Sequence, residues 1–252
     1  MNSGLSDLGW FLVALIGLAL LQRRLHNEIQ TLLFLLTKRI DLSLTIFAIL
    51  FLPGVLIHEL SHYGMARILN VPVGKLSLIP QPLADGRLRL GYVETGSTDF
   101  FRDSLIGAAP LIAGSFVVAY AGLIHLQFST LWAELSAANA SLAVSGLSRI
   151  INQQDFWIWF YIIFVVSSTM FPSTTDRRGW TPILLTIGVL VSLILISGFG
   201  PWIWERIGSY LLNLVRLLSM IFLISALVHL LLFIPLWALR YSLSRIIKLK
   251  VL

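Results

Sequence analysis

Long apolar runs recur along this chain, among them Leu8–Leu21, Phe156–Phe171 and Pro182–Phe199. A water-filled surrounding cannot solvate that much apolar surface, so lipid must. Composition agrees. Charged residues are 12% of the 252 and apolar residues 57%, whereas soluble domains carry roughly 25% charged residues. A net charge of +6 raises the question of nucleic acid, but lysines and arginines that hold loops in the cytosol give the same bias, and no nucleic-acid partner is expected. The absence of cysteine excludes disulfides, iron–sulfur clusters and thiolate zinc sites, leaving His, Asp and Glu as metal ligands.

Hydropathy predicts an all-α polytopic membrane protein of about six transmembrane helices in a single domain. The spans are about Leu8–Gln22, Leu42–Leu69, Ser104–His125, Asp155–Phe171, Thr181–Gly198 and Ile207–Leu239. The first is read as a retained helix, because Arg23 and Arg24 follow its apolar run instead of preceding it. Thr31–Leu36 is too short to span and is expected at the interface. Gln127–Gln154 reads as part loop, part interfacial helix. With the second span ending in the cytosol, Arg23, Arg24, Lys38, Arg39, Arg149 and Arg206 fall outside and more basic residues fall inside, which puts both termini in the cytosol. Arg216 is then expected at the outer interface, snorkelling.

Val71–Thr95 breaks the pattern. Its alternation around Asp85-Gly86 predicts a small β-hairpin between the second and third spans, whose edge lies at the membrane surface or pairs with an extended peptide.

Chemistry concentrates in His58-Glu59-Leu60-Ser61-His62, inside the second span. Residues four apart share a helix face, so both imidazoles reach one ion, and Glu59 stands beside them to activate its bound water. Three ionisable groups in an apolar span are costly unless paired or metal-bound, which makes this a functional site. A rise of about 1.5 Å per residue places the histidines roughly 10–16 Å above a cytosolic helix end near Leu69. Pro53 removes a backbone donor and is expected to kink the helix, admitting water or substrate.

A catalytic zinc usually has a third protein ligand. Glu94, Asp99 and Asp103 belong to the hairpin and the start of the third span, Asp85 to a turn, and Asp155 to the opposite face. Asp176 is best placed, because Pro172 interrupts the fourth span just before it and frees backbone where a ligand loop could line a cavity. A surface turn in which Asp176 caps the fifth span is the alternative. His125 and His229 are expected to be hydrogen-bonded structural residues. Asn139-Ala140-Ser141 fits a glycosylation sequon, which matters only in a eukaryotic secretory pathway.

Taken together, the intramembrane His-Glu-x-x-His, the short hairpin, a span opening with Gly107-Ala-Ala-Pro110 and Gly114, and a helix-breaking Pro followed by Asp resemble the site-2 protease family of membrane metalloproteases over about Phe47–Trp180. The resemblance implies a catalytic core over about residues 42–180. Its zinc (Zn2+) would be held by His58, His62 and Asp176, with Glu59 as general base and membrane-embedded peptides as substrates. It also implies that the hairpin, about Val73–Val93, presents or admits the substrate strand. Three departures stand out. Thr169 replaces the family's usual Asn three residues before the Pro, Asp176 follows Pro172 one residue sooner than usual, and Arg177 stands where Gly is common. Thr169 can still donate to a substrate carbonyl or oxyanion, though less well than an amide. The rival from another class is a non-catalytic metal-binding or scaffold membrane protein that keeps this fold. A transporter lacks the expected repeat or paired broken helices. The expected setting is a prokaryotic plasma membrane, multi-pass, with the site toward the cytosol.

Overall fold

The computed structural model describes residues 2–82, 88–136 and 139–246. The order is α1 (Asn2–Thr37), α2 (Ile40–Ile68), four short strands, α3 (Phe100–Ala119) running into a π-helical turn (Tyr120–His125), α4 (Phe128–Ser136), α5 (Ala140–Ile151), α6 (Phe156–Thr169), α7 (Trp180–Ile196) and α8 (Gly200–Ile246). The fold is helical and membrane-like. Four helices are long and apolar enough to cross a bilayer: Gly4–Thr37, Ile40–Ile68, Phe100–His125 and Gly200–Ile246.

Side-chain pairs fix the helix directions. α1 and α2 are antiparallel about Lys38 and Arg39, with His26 edge-on to Phe47 and Phe51. α2 and α6 run parallel: the Tyr161 hydroxyl donates to the Leu50 carbonyl, and Gly54 meets the Val165 carbonyl and the Thr169 hydroxyl so closely that a Cβ there would collide with them. α3 runs opposite to α6, since Gly114 faces Met170 while His125 stacks on Trp159 at 3.9 Å. The core between these helices is apolar and well filled, with Phe51, Leu18, Leu25, Ile163, Val165 and Val228 fully buried.

α1 and α8 run parallel, contrary to the expectation that both termini share a face. Gly4 faces Leu212, Asp7 pairs with Arg216 at 2.8 Å, Phe11 packs on Phe222 and Glu28 pairs with Arg240. Asn2 and Ile246 therefore lie at opposite ends of this helix pair. Arg216 sits at the end where α2 and the strands meet, not at the opposite interface. Arg206 joins it there, while Arg240 and Arg245 move to the other end, so the excess of basic residues that oriented the chain is largely gone. Lys248 and Lys250 lie outside the described residues.

Two further expectations change. The first span is not confined to Leu8–Gln22; α1 continues through Thr31–Leu36 as one 36-residue helix, about 54 Å long. It can do so because Glu28, the carboxylate in its second half, has Arg240 as partner. Thr181–Gly198 does form a helix, α7, yet none of its residues is buried. It starts beside the first turn of α3, where Gly179 touches Asp103 and Ser104, and it hands over to α8 at the same end of the bundle. At 17 residues it is not among the helices long and apolar enough to cross a bilayer. Pro53 is accommodated inside α2 without ending it.

The hairpin is present as two small antiparallel ladders. β1 (Val73–Ser77) pairs with β4 (Tyr92–Thr95) in the register Leu76 with Val93, with a bulge between Val73 and Leu76. β2 (Gln81–Pro82) pairs with β3 (Leu88–Arg89). The expected turn at Asp85-Gly86 lies outside the described residues. At the opposite end of the bundle, the stretch expected to be part loop and part helix forms a helical pair, α4 and α5, joined by a bidentate Arg149–Glu134 ion pair. Asn139 caps α5 through Oδ1, accepting from the Ser141 and Leu142 amides, which gives the sequon asparagine a local structural role.

Candidate metal centre

His58 and His62 stand one turn apart on α2, and their Nε2 atoms lie 3.2 Å from each other. Asp176 enters from the segment after α6, with Oδ1 3.4 Å from His62 Nε2 and Oδ2 3.9 Å from His58 Nε2. Two donors on one tetrahedral ion with bonds near 2 Å are about 3.3 Å apart. The three observed separations bracket that value. Among the described residues this is the group of His, Asp and Glu side chains drawn together closely enough to share a metal ion, its ligand atoms all within 4.8 Å.

The surroundings fit an imidazole-ligated cation. His62 Nδ1 lies 2.8 Å from the Ile106 carbonyl of α3. That contact makes Nδ1 the protonated nitrogen and leaves Nε2 as a free lone pair for a metal, the outer-shell arrangement common to metal-bound histidines. On His58 the Thr169 carbonyl faces the ring, but Nδ1 has no partner at hydrogen-bond geometry. Two nitrogens and one carboxylate oxygen with a fourth position open match a catalytic zinc set. Glu59, beside them, is buried at 6% exposure, with Gly91, the residue just before β4, lying against its side chain.

Asp176 is held by its own segment. Pro172 and the polar run Ser173–Thr175 prevent α6 from continuing. The Ser173 amide donates to Asp176 Oδ2 at 2.7 Å, and the Asp176 amide donates to the Ser173 hydroxyl at 3.3 Å. The segment is seated on α3 at Gly107, where any Cβ would collide with the Asp176 carbonyl. It is anchored by Arg178, whose guanidinium forks onto Asp103 at 2.8–3.2 Å. The Asp103 hydrogen bonds push the Arg178 pKa above its ordinary value, so the guanidinium stays charged and turned to Asp103. Arg177 donates to the Ser173 carbonyl. Neither arginine therefore competes for the carboxylate at the histidines.

The other candidate carboxylates are engaged elsewhere. Glu94 accepts from the Lys75 amide, and Asp155 accepts from the Trp159 indole at the far end of the bundle. Asp99 caps α3, and the Arg102 and Phe101 amides hold its carboxyl below the usual range. His229 is hydrogen-bonded between Ser168 and Ser225, as expected of a structural residue, whereas His125 is stacked on Trp159 and its Nε2 has no hydrogen-bond partner. Thr169 lines the cavity, but its hydroxyl donates back to the Val165 carbonyl at 3.0 Å. It is turned to its own helix rather than offered to a ligand.

The centre opens into a cavity of about 660 Å³ lined by α2, β4, the start of α3 and the Asp176 segment. His26 of α1 also lines it, a residue that sequence reasoning passed over. Its one sequence signal is that Gln22, four residues earlier, shares its helix face.

Gly107→Val is expected to push the Asp176 segment off α3 and to weaken metal binding by about 10–100-fold, measured by competition with a chelating dye. Gly17→Ala, where an added Cβ meets nothing within 4 Å, should leave binding unchanged. Compared with known proteins, no family model matches this sequence, and no curated protein or solved structure matches it.

Proposed function

We propose that this chain is a zinc-dependent intramembrane endopeptidase resembling the site-2 proteases. The observation that carries the proposal is the convergence of His58, His62 and Asp176 beside buried Glu59. A scaffold that merely held metal would have no need of Glu59 next to the ion, and this favours the enzyme over the non-catalytic reading.

The site's depth supports the membrane setting. Asp7–Arg216 and Glu28–Arg240 are spaced about 32 Å apart along α1, close to the roughly 30 Å of a bilayer's hydrocarbon core. His58 and His62 fall between these two levels. α1, α2, α3 and α8 would cross that slab, whereas α6, at 14 residues, would end inside it and leave the Asp176 segment within it. Non-helical backbone at such depth is tolerable where it lines a cavity, as this segment does.

Bound zinc would supply Lewis acidity for the scissile carbonyl and for water. The rest falls to protein groups. β4, Tyr92–Thr95, lines the cavity and, as one strand of a two-stranded ladder, can lie beside a locally extended peptide. Glu59 takes the proton of the attacking water and returns it to the leaving amine, a role suited to a carboxylate shielded from bulk solvent. Ile106, through its carbonyl, keeps the His62 ring in its ligating orientation.

Protein purified in detergent and reconstituted in liposomes should hold about one zinc per chain and cleave an apolar, membrane-spanning peptide. Chelation should abolish cleavage and added zinc restore it. Metal-loaded protein that cleaves no such peptide would make the scaffold reading the better one.

A further inference from the structure

The cavity does not end at the metal centre. It follows one face of α2, past Val55, to His26 of α1. Phe51, Val55, His58 and His62 recur at spacings of four, three and four, which is a single helical face. His26 packs edge-on against Phe51, ring centroids 4.7 Å apart. Phe51 precedes His58 by two turns, so His26 stands about 10 Å from the metal ligands along α2.

The polar groups around this far end satisfy one another. Gln22 donates to the Ser168 carbonyl, the Ser168 hydroxyl meets His229 Nε2 at 2.9 Å, and His229 Nδ1 meets the Ser225 carbonyl at 2.8 Å. His26 differs. Its Nε2 is shut off from solvent and has no hydrogen-bond partner. A buried polar atom left open is costly, and a group bound in the cavity that His26 lines could supply the missing partner.

We propose that His26 is the polar end of a substrate subsite, a proposal that rests on the endopeptidase reading above. At about 3.3 Å per extended residue, the 10 Å to the metal ligands corresponds to about three residues of a bound chain. The group recognised is an uncharged hydrogen-bonding side chain (Ser, Thr, Asn or Gln) of a membrane-embedded peptide, about three residues from the cleaved bond. A charged side chain would be desolvated here among Phe47, Phe51 and Val55 with no counter-ion. In an otherwise apolar membrane segment, one amide or hydroxyl at this spacing would then mark the cleavage position.

The test uses the full chain in liposomes and apolar peptides of about 20 residues. In each, the third residue on one or the other side of the cleaved bond is Leu or Asn. Wild-type protein should cleave one Asn peptide at least about tenfold better than its Leu counterpart, through KM, because the open nitrogen is satisfied only by Asn. His26→Phe should erase that preference at unchanged zinc content, and His26→Gln should restore part of it. If His26→Phe loses its zinc through misfolding, His26→Ala, which removes the ring without filling the space, takes its place. A preference that persists in a zinc-loaded His26 variant, or its absence in wild type, overturns the subsite alone. Zinc-loaded wild type that cleaves no peptide overturns the endopeptidase reading and the subsite with it.

Discussion

Glu59→Gln is expected to keep zinc and fold while lowering peptide cleavage by about 10³–10⁴-fold. The reason is local. Glutamine has the shape of glutamate, so it fits the buried slot against Gly91, but its amide cannot accept the proton of water at neutral pH. Zinc content and thermal stability measured beside the cleavage rate separate the outcomes. Cleavage near the wild-type rate would mean another base or a contaminating protease. Loss of zinc would mean that Glu59 holds the metal or the strand above it.

His58→Ala should remove the metal altogether, because His62 and Asp176 alone leave a zinc two ligands short of a closed site. Cleavage should fall to background with it. His125→Ala is the matched control: its ring is stacked on Trp159 at the other end of the bundle, so zinc stoichiometry should stay at about one. Unchanged zinc in the His58 variant would remove the proposed centre, whatever the cleavage assay reads.

What the sequence made legible was local. His58, Glu59 and His62 declare themselves because a helix turns spacing directly into a shared face. Asp176 was within reach because Pro172 marks where α6 must stop, although the closeness of its approach depends on Gly107, whose neighbour lies in another part of the chain. The hairpin was readable from its alternation. The bundle's directions were not. Periodicity says which face of α1 is apolar, but not that α8 covers it, so the parallel pairing of these helices and the sides assigned to Arg216 and Arg240 went astray. α1 looked short because Arg23, Arg24 and Glu28 interrupt its hydropathy, and Glu28 is tolerated only through a partner far along the chain. α7 shows the converse. Its composition is that of a span, but composition carries no information about neighbours, and its side chains find few. His26 has only Gln22 one turn away to mark it in sequence and becomes visible where it packs on α2 and lines the cavity.

The pairing of α1 with α8 also sets an order of events during synthesis. Asp7 and Glu28 leave the ribosome early, whereas Arg216 and Arg240 follow 209 and 212 residues later. At roughly 5–20 residues per second, each carboxylate waits about 10–40 s for its cation. Throughout that interval the two α1 carboxylates lack the arginines that pair with them in the fold, beside helices that have already emerged. Assembly of the bundle is thus closed by its last helix, and a chain truncated before Arg216 would leave the first helix without either of its ionic anchors.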